Sequence, residues 1–265
     1  MIDRTVDDVL LEQLRRDGII GPFVVSDLAT GVDVGAVRTE NEDRAYAGAQ
    51  GVFAVADGLG GRPGGALAAY TAIAVAAAGA AGMTEPGAFE LLVDIQAAIV
   101  AAGRRVGNDG LGTTLVVLAA HRNHVVIASV GDSRAYRYRD GDLERLTVDH
   151  DVGSELRASG VSDEQASGTG LRLDALTAHL GPRAPSPLRT HVASYSVMAG
   201  DRFLLCTDGI HRHVAQAEIS SIVALGACAL AVEALLAAAR RAGGRDNAAA
   251  VLVEFGRPAV EADHA

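Results

Sequence analysis

The sequence contains no tryptophan, and aromatic residues make up only 4% of its 265 positions. Platforms that stack nucleic-acid bases are therefore not expected. An excess of positive charge is also missing. The formal net charge is −10, which argues against nucleic acid or an anionic membrane as the main partner. Cysteine is scarce: Cys206 and Cys228 both sit in apolar surroundings. They read as small buried hydrophobes rather than a disulfide framework, which fits a reducing cytosol and a cytoplasmic location. The start, Met1-Ile2-Asp3-Arg4, lacks the basic-then-apolar pattern of a signal peptide. The apolar stretches Ala66 to Ala81 and Ile222 to Ala239 are dominated by alanine, and Glu233 interrupts the second. They fit buried helices better than membrane spans. No linker rich in glycine, proline or serine divides the chain, and no internal repeat is evident, so one domain is expected.

What the chain does have is a set of acidic residues at the ends of apolar runs, far apart in sequence. Asn41-Glu42-Asp43 follows the run Val32 to Val37; Asp57-Gly58 ends Val52 to Ala56. Asp208-Gly209 ends Phe203 to Thr207, and Asp246-Asn247 opens Ala248 to Val253. Runs of this length read as buried strands. A carboxylate at a strand tip leaves the core at a fixed position and direction. Several such tips at one sheet edge bring carboxylates together, and converging carboxylates repel unless a cation holds them. A divalent-metal site is the first hypothesis. An anionic substrate would also need its local field reversed, which bound metal and a nearby arginine would supply.

Asp7 to Arg16 alternates charged and apolar residues at helical spacing, predicting a short helix within an extension over residues 1–25. Residues 26–257 form the expected domain, and 258–265 an expected disordered tail. Val32 to Ala56 reads as two strands joined by the loop Arg38 to Asp43. Gly58 to Gly65 is a glycine-rich turn leading into an alanine-rich helix that ends near Gly79 to Gly82. Thr84 caps a second helix with Pro86 in its first turn, running to about Val106. Strands follow at Thr113–Ala120, His124–Val130, Ser133–Arg139 and Leu143–Leu146, with Asp140-Gly141 as a hairpin turn. Asp149 to Thr177 predicts a short helix and then a mobile segment. Strands at Arg189–Val197 and Asp201–Cys206, helices at Gln216–Ala224 and Ala227–Arg241, and a last strand at Ala248–Phe255 complete the order. Hairpins imply antiparallel pairing, and helices grouped outside antiparallel sheets imply an α+β layered fold.

Seven short segments occur in a fixed order. They are Arg38-Thr39-Glu40-Asn41-Glu42-Asp43, Asp57-Gly58-Leu59-Gly60-Gly61, Gly112-Thr113-Thr114, Gly131-Asp132-Ser133-Arg134, Leu146-Thr147-Val148-Asp149-His150, Cys206-Thr207-Asp208-Gly209 and Asp246-Asn247. Each alone is weak, since Asp-Gly is an ordinary turn. Together, from about Val32 to Phe255, the set resembles the PP2C-type (PPM family) metal-dependent protein serine/threonine phosphatases in their bacterial form. The resemblance implies a four-layer αββα sandwich of two antiparallel sheets flanked by helices, with a metal cleft at one edge. It implies that Asp57 bridges two metals with help from the Gly58 carbonyl, that Asp208 and Asp246 complete the first metal, and that Glu42 binds the second. Asp43 is expected to hold a metal-bound water and Arg38 to bind phosphate, while Asp132 matches the ligand of a third, looser metal. All-oxygen ligands suit Mn²⁺ or Mg²⁺.

The resemblance further implies hydrolysis of phosphoserine and phosphothreonine in proteins by a metal-activated water, with no phosphoenzyme. Phosphorylated proteins are the expected substrates, with a Ser/Thr kinase or its targets as partners. Two other readings stand beside it: a phosphoprotein-binding regulatory module with weak or no catalysis, and a metal-dependent phosphatase acting on small molecules. Thr113, Thr114, Ser133, Arg134, Asp149 and His150 read as scaffold. Cys206 is not a nucleophile, because the chain lacks the Cys-x5-Arg loop of cysteine phosphatases. His211 and His213 depart from the family pattern and are expected at the surface. Leu59 stands where some relatives carry a histidine proposed as general acid. Asp151 to Thr177 matches the family's variable flap beside the cleft.

Overall fold

A computed structural model describes residues 3–5, 23–59 and 64–257. The helix expected over Asp7–Arg16 and the tail after residue 257 lie outside the described residues. Strands β1 (Asp3–Thr5), β2 (Val24–Asp33), β11 (Ala248–Gly256), β10 (Arg202–Cys206), β7 (Arg134–Arg139) and β8 (Asp142–Arg145) form one sheet in that spatial order. The second sheet runs β3 (Arg44–Gly48), β4 (Val52–Ala56), β5 (Leu115–Ala120), β6 (His124–Val130) and β9 (His191–Ser196). Every pairing between neighbouring strands is antiparallel.

The inner faces of the two sheets meet. Phe53, Val55, Leu118 and Ile127 of one interdigitate with Phe203, Leu205, Val253 and Phe255 of the other, all fully buried. Helices α1 (Gly65–Gly79) and α2 (Glu85–Val106) cover the second sheet. The alanine face of α1 (Ala68, Ala69, Ala72, Ala76) lets it approach the sheet closely. Thr84 caps α2 by accepting from the Gly87 amide at 3.3 Å, and Gly107 ends it in a left-handed conformation at φ 64°. Among the described helices α2 alone is long and apolar enough to cross a membrane, but Leu92, Ile95 and Ile99 are buried against α1 and the sheet. Short α5 (Asp208–His211), α6 (Gln216–Val223) and α7 (Cys228–Arg241) cover the first sheet. The result is the expected αββα sandwich.

The start of the domain differs from the sequence reading in register. One strand, β2, begins at Val24 and stops at Asp33, and the run to Val37 is a turn rather than strand. The stop is local chemistry: the Asp33 carboxylate accepts the Gly35 amide at 2.8 Å and is gripped by Arg240. The second expected strand is a hairpin of two, β3 and β4. β3 is a half-buried edge strand without an apolar run, so its sequence carries no strand pattern. The chain thus delivers three strands to this region, and the loop 34–43 connects the two sheets.

Candidate metal centre

Antiparallel register brings the acidic tips to one edge of the sandwich. The end of β10 (Cys206) lies opposite Ala250 of β11, and Ala248 lies opposite Asp33 at the end of β2. Asp208, Asp246 and the loop carrying Arg38 and Glu42 therefore leave the first sheet together, while Asp57 leaves the second at the end of β4. The turn between β6 and β7 adds Asp132. Glu42, Asp57, Asp132, Asp208 and Asp246 all line one cavity of about 320 Å³, with Arg38 and the Gly58 backbone at its wall. Asp43 is buried behind it at 2% exposure.

Each tip is held by its own backbone or hydroxyl partner. The Asp57 carbonyl accepts the Thr113 hydroxyl at 2.8 Å and the Thr114 amide at 2.9 Å, while the Asp57 amide donates to the Thr114 hydroxyl at 3.1 Å. Ser133 contacts that hydroxyl at 2.7 Å. Thr207 donates to the Asp43 carboxylate at 2.7 Å and accepts the Ala249 amide at 2.9 Å. Gly58 and Gly209 are required by close approach. A Cβ at Gly58 would stand 2.8 Å from the Glu42 carbonyl oxygen, and one at Gly209 would stand 1.8 Å from the Asn247 carbonyl oxygen. Arg134 forks onto Asp149, and the Gly131 amide donates to His150 at 3.0 Å, so these residues do serve the scaffold around Asp132.

Sequence reasoning passed over Asn247 as a working side chain. Its amide oxygen accepts the Glu42 amide at 2.9 Å, and its nitrogen donates to the carbonyls of Val34 and Glu40, both at 2.9 Å. It clamps the loop that bears Arg38 and Glu42. The Asn247 amide in turn donates to Asp246 Oδ1 at 2.8 Å, and Arg38 contacts Asp246 Oδ2 at 3.0 Å. The dipeptide Asp246-Asn247 carried the signal, but only the fold shows what the amide reaches.

The electrostatics ask for a cation. Burial raises the Asp43 carboxyl to about 8, with Thr207 opposing and the charges of Asp208 and Asp246 adding to the rise. Burial pushes Asp57 well above the usual carboxylate range, and Asp43, Asp208, Asp132 and Asp246 push it further. Asp208 is raised by burial, against the pull of Arg212. A divalent ion would offset these penalties together, and the all-oxygen donor set suits Mg²⁺ or Mn²⁺. As the side chains stand, no three acidic, histidine or cysteine groups among the described residues ring one point closely enough to hold an ion. Arg38 pairs with Asp246, and Arg212 pairs with Asp132 and Asp208. The inner donors fit a divalent ion in chemistry and charge, and binding one exchanges the Arg38 contact at Asp246 for a metal bond while Arg212 stays beside Asp208 Oδ2.

Two further features depart from expectation. His211 is half-buried rather than exposed: burial lowers its pKa well below the ordinary value, Nε2 meets the Asp132 carbonyl oxygen at 2.9 Å, and Nδ1 is buried without a partner. The flap is more ordered than expected. It contains α3 (Val152–Ala158) and α4 (Asp163–Ser167), and its return limb is pinned by Val152 N to Ala175 O (3.0 Å), Gly153 N to Leu173 O (2.8 Å) and Thr177 N to His150 O (2.8 Å). Arg172, Asp174 and Leu176 of that limb line the cavity beside the carboxylates.

Residues 38–254 match the family described as Protein phosphatase 2C. The chain is 32% identical over 234 residues to the serine/threonine protein phosphatase PstP of Mycobacterium tuberculosis, covering 84% of this chain and 43% of PstP. It is 30% identical over 238 residues to the protein phosphatase PhpP of Streptococcus pneumoniae, covering 84% of this chain and 95% of PhpP. The chain thus spans less than half the length of PstP and nearly all of PhpP. Among solved structures, the catalytic domain of PstP in complex with two manganese ions superposes with a TM-score of 0.73 at 30% identity, covering 86% of this chain and 97% of that one.

Proposed function

The chain belongs to the protein phosphatase 2C family, and from that premise we propose that it hydrolyses phosphoserine and phosphothreonine in proteins with two divalent cations, Mn²⁺ or Mg²⁺. The observation that carries the reading is the meeting of Glu42, Asp57, Asp208 and Asp246, from four separate chain segments, on one cavity. The PstP catalytic domain with its two manganese ions supports the metal count.

Asp57, the Gly58 carbonyl, Asp208, Asp246 and Glu42 would hold the ions. When bound, such ions lower the pKa of water and neutralise phosphoryl oxygens. The remaining work falls to the chain. Asp43, kept in place by Thr207, would hold a water at the centre once bound cations lower its raised carboxyl. Arg38 is the phosphate clamp. It sits on the 34–43 loop, is 40% exposed and makes one 3.0 Å contact with Asp246, which a phosphate can replace bidentately. Leu59 lines the cavity and cannot donate a proton, and no histidine lines the cavity among the described residues. The leaving serine or threonine oxygen takes its proton from water or from a side chain other than Leu59. The net charge of −10 makes the positive equipment of the cleft decisive for an anionic substrate. The substrates are products of Ser/Thr kinases, the enzyme class that installs these groups.

The test is phosphopeptide turnover across Mn²⁺, Mg²⁺ and Ca²⁺, with and without EDTA, beside nucleotides as small-molecule controls. The reading predicts Mn²⁺- or Mg²⁺-dependent release of phosphate from phosphopeptides, abolished by EDTA and by Asp208→Ala in a folded protein. Metal-independent turnover, or full activity of Asp208→Ala, would overturn it.

A further inference from the structure

Asp132 was expected to bind a third metal ion, and the structure gives it a different cation. The sequence contains no lysine, so its fixed side-chain cations are all arginines. One of them, Arg212, reaches across the cavity mouth. Its Nη2 pairs with Asp132 Oδ2, its Nε stands 3.3 Å from Asp208 Oδ2, and it grips the flap through Asp174 Oδ2 at 3.2 Å and the Asp174 carbonyl at 3.0 Å. We propose that the Arg212 guanidinium takes the place of a third divalent ion between Asp132 and Asp208 and latches the flap to the metal centre through Asp174. The proposal rests on the two-metal reading above and refines its count and its flap.

Three observations support this. First, the arm is built in. Arg212 follows Asp208 by one helical turn, its amide donates to the Asp208 carbonyl at 3.0 Å, and Ile210 and Val214 beside it are buried. Second, Asp132 is clamped from two sides by consecutive residues: His211 Nε2 meets its carbonyl oxygen and Arg212 its carboxylate, which is 3% exposed. An ion at Asp132 would have to displace a guanidinium that also holds Asp208 and Asp174, or share the carboxylate with it at contact distance, where two cations repel. Third, the contrast with Arg38 is marked. Arg38 makes a single side-chain contact from a loop at 40% exposure, whereas Arg212 makes contacts to three residues at 27%. Arg38 is free to turn to phosphate; Arg212 is committed to the protein. The consequence is a centre that saturates at two ions and a flap whose position is tied to the ligand Asp208.

The experiment is Mn²⁺ binding by equilibrium dialysis, with amide hydrogen exchange over residues 171–177, on the full chain and two variants. Wild type should bind two ions. Arg212→Ala should bind three, and its flap amides should exchange roughly tenfold faster once the latch is lost. Asp174→Ala should show the faster flap exchange yet still bind two ions. Three ions in wild type, or two in a folded Arg212→Ala, overturns the proposal and leaves the phosphatase reading intact. Asp174→Ala keeps the Arg212 contact to the Asp174 carbonyl, so unchanged flap exchange overturns the latch when it is seen in both that variant and a folded Arg212→Ala, or in Arg212→Gln if Arg212→Ala does not fold. A wild-type chain that binds no Mn²⁺ overturns the two-metal reading itself.

Discussion

Replacing Asn247 by alanine removes three hydrogen bonds made by one buried amide, all at 2.9 Å, at a residue only 4% exposed. At roughly 0.5–1.5 kcal/mol net for each bond, the loss is about 3 kcal/mol. For a chain of this size that corresponds to a fall in Tm of roughly 6–12 °C. The damage is local as well as global. The Glu42 amide and the carbonyls of Val34 and Glu40 lose their partner, so the loop bearing Arg38 and Glu42 loosens. Residues that orient metal ligands typically cost about 10–100-fold in metal affinity or activity when changed, and Asn247→Ala should weaken Mn²⁺ binding in that range. Asn247→Asp is the companion variant: it keeps an acceptor for Glu42 but turns a carboxylate oxygen toward two carbonyls, so it should be no better than alanine. Thermal melts with and without Mn²⁺, together with Mn²⁺ titration, read both effects. A wild-type Tm and unchanged Mn²⁺ affinity in Asn247→Ala would refute the clamp.

The Asp43 carboxyl is raised from 3.8 to about 8 in the fold, so its protonated form stabilises the metal-free protein. That contribution is full below the unfolded value and is lost as pH rises through about 8. Metal-free Tm should therefore decline between pH 5 and 9 with a slope that Asp43→Asn flattens, and added Mn²⁺ should raise Tm most at the alkaline end; equal slopes in the two proteins would contradict this. Gly209→Ala drives a methyl into the Asn247 carbonyl, and a loss of more than about 4 kcal/mol is expected, read as failure to melt cooperatively or to bind Mn²⁺. Asp201→Ala is the control far from the cleft. It breaks a fork to Arg139 with both contacts at 2.6 Å and strips the Met198 amide of its acceptor, which should cost about 2–4 kcal/mol while leaving Mn²⁺-dependent kcat/KM unchanged. A change in kcat/KM there would show that stability and the site are not separable as argued.

The layered fold and the acidic tips were legible because both are written in short-range patterns. β6, β10 and β11 are apolar runs ended by Gly131, Asp208 or opened by Asp246-Asn247, and hairpin turns such as Asp140-Gly141 announce antiparallel neighbours. β3 was not legible: its half-buried edge position leaves no periodic signal in Arg44–Gly48. The end of β2 at Asp33 depends on an arginine, Arg240, 207 residues away. An Ile-His-Arg-His segment looks solvated, and only the contact of the first histidine with the Asp132 carbonyl in the β6–β7 turn half-buries it. Arg212 was within reach of sequence reasoning, since it stands four residues after Asp208, at the C-terminal cap of α5. Its choice among Asp132, Asp174 and Asp208 is tertiary. The same holds for Asn247, whose partners come from a loop more than 200 residues earlier.

The most direct test of the metal centre is manganese-edge anomalous diffraction from crystals of the chain grown with Mn²⁺. The account predicts two strong peaks in the cavity, both in contact with the Asp57 carboxylate, one flanked by Asp208 and Asp246 and the other by Glu42. Peaks that avoid Asp57, or an empty cavity at saturating Mn²⁺, would contradict it.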